Sequence, residues 1–152
     1  NTDMFAEQIL QLGLRYNNAL VAVERIGHGH SVLRVLLGRN YPNLYYHMDY
    51  DEFQHMNVSD AGWKTSVKTK PLLINGMITA FAARDLISYS ENLLLESSGL
   101  VWEGGVDSRV KTISGGHDDE FMAVAIAIQV REASPLLDNI HSAGSVSNYV
   151  TV

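Results

Sequence analysis

From Phe121 to Ile128 the chain runs Phe-Met-Ala-Val-Ala-Ile-Ala-Ile without a polar side chain, and this stretch follows Gly115-Gly116-His117-Asp118-Asp119-Glu120. A segment apolar on every side belongs in the interior of a folded domain, and this one is too short to span a bilayer. Glycines permit a tight backbone approach, while aspartates at a helix start cap free amides and suit the positive end of the helix dipole. The expectation is a buried helix whose glycine turn delivers two adjacent carboxylates to its N-terminus, with alanines spaced so that a sheet can press close. Taken alone, the same pattern describes any well-capped buried helix.

The rest of the chain bounds the chemistry available to those carboxylates. At 152 residues it has the size of one domain with a substantial core, and its 46% hydrophobic and 18% charged content is ordinary for a globular protein. No apolar run is long enough for a membrane span. With no cysteine there are no disulfides or thiolate metal sites, which leaves carboxylates and histidines. The chain opens at Asn1 with neither an initiator Met nor a signal-like segment, as expected of a fragment of a longer protein; the lack of cysteine does not fix the compartment but suits a cytosolic protein. The net charge of −6 does not advertise a nucleic-acid binder. Clustered carboxylates that hold divalent cations would lower the charge in the same way, and local basic segments can still track phosphates.

Residues 3 to 16 place Phe5, Ile9 and Leu12 at helical spacing, which predicts an amphipathic helix ended by Asn17-Asn18. Ala19 to Val23 reads as a central strand buried on both faces, and it exits at Glu24, where open α/β sheets place their chemistry. A strand-end Glu facing water has the same local sequence. Gly27-His28-Gly29-His30 predicts a turn into a short helix closed by Gly38. The two histidines have no special ligand spacing. Leu44 to Tyr46 suggests an edge strand, and the acidic stretch from His47 to His55 reads as a solvated loop. Lys64, Lys68 and Lys70 form the tightest basic cluster, and Pro71 suits the first turn of a helix running to about Ile87, with Ile74, Met77, Ile78, Phe81 and Ala82 buried. A short helix over Glu91 to Glu96 and a β-hairpin, Leu100 to Trp102 with Arg109 to Ile113, complete the folded part. Residues 1–133 are read as one domain and 134–152 as a loosely ordered tail. A GxxxxGK[ST] phosphate loop is absent.

Four blocks in this order resemble the nuclease domain of a tailed-phage terminase large subunit. They are Tyr16-Asn17-Asn18-Ala19-Leu20-Val21-Ala22-Val23-Glu24 with Gly29 behind it, Gly62-Trp63-Lys64-Thr65 with Thr69-Lys70-Pro71, the Glu91 to Glu96 segment, and Gly116-His117-Asp118-Asp119 before the apolar helix. The resemblance implies an α/β, ribonuclease H-like mixed sheet flanked by helices, with carboxylates converging on Mg²⁺ or Mn²⁺. Carried over, Glu24 is one acidic ligand, the Asp118/Asp119 pair supplies another, and His117 orients a carboxylate or water. In that family a further catalytic aspartate sits on a strand ahead of the opening helix. Asp3 does not match it, so the first strands of the fold are expected to be missing.

The function implied is metal-dependent endonucleolytic cleavage of concatemeric double-stranded DNA during viral packaging, in the cytoplasm of a bacterial host. Lys64, Lys68 and Lys70 would contact the DNA backbone, and a terminase small subunit and a portal are the implied protein partners. A Holliday-junction resolvase-like nuclease also accounts for the aspartates but leaves Gly62-Trp63-Lys64-Thr65 unexplained. A non-catalytic α/β docking domain, with the aspartates acting only as caps, is the alternative from outside enzymology.

Overall fold

The computed structural model describes residues 1–51, 56–103, 109–112, 117–133 and 150–151. The fold is mixed α/β, and the chain divides into two compact units, Asn1–Ser66 and Val67–Val152.

In the first unit, α1 (Thr2–Arg15) packs on α2 (Gly29–Gly38). The α1 face turned inward carries Ala6 and Gly13, flanked by the partly buried Ile9 and Leu10, and meets Val32, Leu36, Tyr41 and Leu44. Phe5 and Leu12, expected on that face, are instead 56% and 53% exposed. Small residues decide the matter: Tyr41 lies so close that a Cβ on Gly13 would fall 2.1 Å from its hydroxyl. That hydroxyl donates to the Ala19 carbonyl at 2.5 Å, tying the end of α1 to the segment that follows. Asn17 and Asn18 reverse the chain in left-handed conformation, which Asn tolerates better than most residues.

Ala19 to Val23 is extended and half-buried, not a central strand covered on both faces. It pairs in parallel through two isolated bridges, Val21 with Leu44 and Glu24 with Trp63. The Val21 amide donates to the Asn43 carbonyl, and the Val23 carbonyl accepts from the Trp63 amide. Between these two pairing stretches the chain leaves to form an antiparallel hairpin, β1 (Tyr46–Asp51) with β2 (Met56–Ala61). That excursion interrupts the ladder. His47, Asp49 and Asp51 therefore lie on a strand and not in a solvated loop, while Glu52 and His55 fall outside the described residues.

In the second unit, α3 (Lys70–Ala83) starts with Pro71 in its first turn and stops earlier than expected, because Arg84 turns left-handed at its end. Its buried face is Leu73, Ile74, Met77 and Ala80, whereas Ile78 is exposed. The short β3 (Leu86–Ile87) follows, then α4 (Glu91–Ser98), β4 (Leu100–Glu103) paired antiparallel with β5 (Arg109–Thr112), and α5 (Asp119–Ala133). The apolar run is buried as its composition requires: Phe121, Met122, Val124, Ala125, Ile126, Ile128 and Val130 all lie inside. Helices α3 and α5 pack together, and at Gly76 a Cβ would come 2.5 Å from Gln129 Nε2. Of the tail, Val150 and Thr151 form β6, parallel to β3, and residues 134–149 and 152 lie outside the described residues. Among the described residues no helix is long and apolar enough to cross a membrane.

Candidate functional site

Glu24 belongs to the first unit, and local sequence fixes it there from three sides. Its backbone is bridged to Trp63, so the Gly62-Trp63-Lys64-Thr65 segment runs directly beside it. Gly62 adopts φ +90°, and a Cβ there would meet the Val23 carbonyl oxygen at 2.6 Å and Leu33 at 2.7 Å. Gly29 approaches from α2, with its Cβ position 1.8 Å from the Glu24 carbonyl oxygen. The Thr65 hydroxyl donates to Glu24 Oε1, and it is the only hydrogen-bond donor on this carboxylate among the described residues.

Around Glu24 the neighbouring charges are already matched. Arg25 pairs with Asp60 at 2.5 Å, and Lys64 pairs with Asp49. Behind them His47 meets Trp63 edge to face at 5.2 Å, and Tyr45 stacks on the same indole at 6.0 Å. Burial holds His47 below the usual imidazole range; Asp49 pulls it upward, while Arg25 and Lys64 push it further down.

The aspartate pair belongs to the second unit, and its two members differ sharply. Asp118 sits just before α5, 28% exposed, with Oδ2 3.7 Å from Lys70 Nζ. Asp119 is 93% exposed and faces His117, whose Nδ1 lies 3.9 Å from Oδ2. The glycine turn ahead of them, Gly115-Gly116, is outside the described residues. Asp118 occupies the N-cap position, because its carbonyl accepts the first helical bond from the Met122 amide at 2.8 Å. Among the described residues no α5 amide donates to its carboxylate. The Phe121 amide, which an N-cap side chain ordinarily takes, donates at 2.7 Å to Glu96 Oε2 from α4.

The three lysines of the basic cluster therefore differ in setting. Lys64 is in the first unit beside Asp49; Lys68 and Lys70 are in the second, Lys68 exposed and Lys70 on Asp118. Thr65 and Glu96 are the residues that sequence reasoning left without a role. The signal for each was its place in a block of the resemblance, Gly62-Trp63-Lys64-Thr65 for one and Glu91 to Glu96 for the other; the contact of Glu96 was not legible, because the amide it serves lies 25 positions away.

Carboxylate oxygens suit a hard divalent cation. Both Glu24 and Asp118 are of that type, the first bound by Thr65 and the second paired with Lys70. Among the described residues, however, no group of three acidic or histidine side chains stands close enough together to hold an ion. Comparison with known proteins finds no matching family model, no matching curated protein and no matching solved structure.

Proposed function

We propose that this chain is the metal-dependent endonuclease domain of a viral DNA-packaging terminase, of ribonuclease H-like fold, acting on double-stranded DNA in a bacterial cytoplasm. One observation carries the proposal: two blocks of the resemblance, far apart in sequence, converge on one carboxylate, since Trp63 bridges the Glu24 backbone and Thr65 binds its side chain. A strand-end Glu that merely faces water needs neither contact.

In this reading Glu24 in the first unit and Asp118 in the second are each of the ligand type that Mg²⁺ or Mn²⁺ takes, and Asp119 with His117 is exposed to solvent. The ions, when bound, supply an activated water and a stabilised 3′ leaving oxygen. The chain's own residues do the placing. Thr65 fixes the Glu24 carboxylate, and Lys64 in the first unit and Lys68 and Lys70 in the second would each contact phosphates without reading sequence. Small subunit and portal would be partners of the whole motor.

A docking domain that binds a protein partner is the second reading, favoured by the lack of a three-ligand group among the described residues. In it Lys70–Asp118 is only an ion pair joining two helix starts. Calorimetric titration with Mn²⁺ separates the two, together with plasmid nicking. Saturable binding that is lost in both Glu24→Gln and Asp118→Asn, with folding intact, supports the nuclease. No saturable binding by the wild-type chain overturns it. Residues 1–152 alone are expected to nick weakly, because two-metal hydrolysis requires more carboxylates than these.

A further inference from the structure

We draw no further inference here: the strongest candidate, the outward apolar stripe of α1 formed by Phe5 and Leu12 with Tyr16 at its C-cap, is a helix face for which nothing among the described residues shows what covers it.

Discussion

Lys70 Nζ stands 3.7 Å from Asp118 Oδ2, so the first residue of α3 neutralises the residue that opens α5. A cation entering at Asp118 must compete with this ammonium. Partly exposed pairs of this kind are worth about 0 to 1 kcal/mol. Lys70→Gln is therefore expected to raise Mn²⁺ affinity by up to about fivefold, and the gain should shrink with added salt. Titrations at low and high ionic strength check this. Unchanged or weaker binding would mean that Lys70 does not occupy the place of the ion.

Thr65 is expected to matter through orientation. Thr65→Val keeps the shape and removes the hydroxyl that holds Glu24 Oε1. Loss of such a second-sphere bond should weaken Mn²⁺ binding about tenfold, whereas Thr65→Ser, which keeps the donor, should remain near wild type. Equal affinities for Val and Ser variants would reduce the contact to an incidental one.

The helices were legible because their signals are local. The all-apolar run fixes α5, Pro71 marks the start of α3, and Ser90 opens α4 through a cap within its own first turn. What failed to show depends on distant residues. Phe5 and Leu12 read as core by spacing, but the close approach of Tyr41 to Gly13 puts the small residues of α1 inside. The β1 strand was hidden by its acidic residues, although Tyr46, Met48 and Tyr50 alternate with His47, Asp49 and Asp51 in the period of two that a strand requires. At the candidate site, residue types marked Glu24 and the aspartate pair as metal-type ligands. The different settings of Asp118, partly buried beside Lys70, and Asp119, almost fully exposed, were not legible locally, because Lys70 lies on another helix.

Glycine substitutions should separate close approach from simple helix propensity. At Gly29 a Cβ would fall 1.8 Å from the Glu24 carbonyl oxygen, a backbone atom that cannot swing aside. Gly29→Ala must shift either α2 or the Glu24 segment, and strain of this kind costs about 1 to 3 kcal/mol, occasionally more. At Gly38, in the last turn of the same helix, nothing lies within 4 Å of the Cβ position. Gly38→Ala should be neutral or stabilising by up to about 1 kcal/mol. Denaturant melts of the two variants check the contrast, and a Gly29→Ala as stable as wild type would show that the two segments are not in contact there.

His47 should make the first unit sensitive to mild acid. Burial lowers its folded-state pKa, and the Arg25 and Lys64 charges act in the same direction against the opposing pull of Asp49. Asp60 stands opposite His47 in the hairpin but is already paired with Arg25. Because the folded value lies below the unfolded one near 6.5, the unfolded chain binds the proton more readily in the interval between them. The contribution is fully present above about pH 6.5 and is lost as the pH falls through the folded value. The ring's buried Nδ1 has no hydrogen-bond partner among the described residues, so an apolar ring at this position sacrifices no polar contact. His47→Phe should keep the edge-to-face packing on Trp63 and flatten the decline of the melting temperature between about pH 7 and pH 5.5 relative to wild type. Parallel melting curves for the two proteins across that range would place the acid sensitivity elsewhere in the chain.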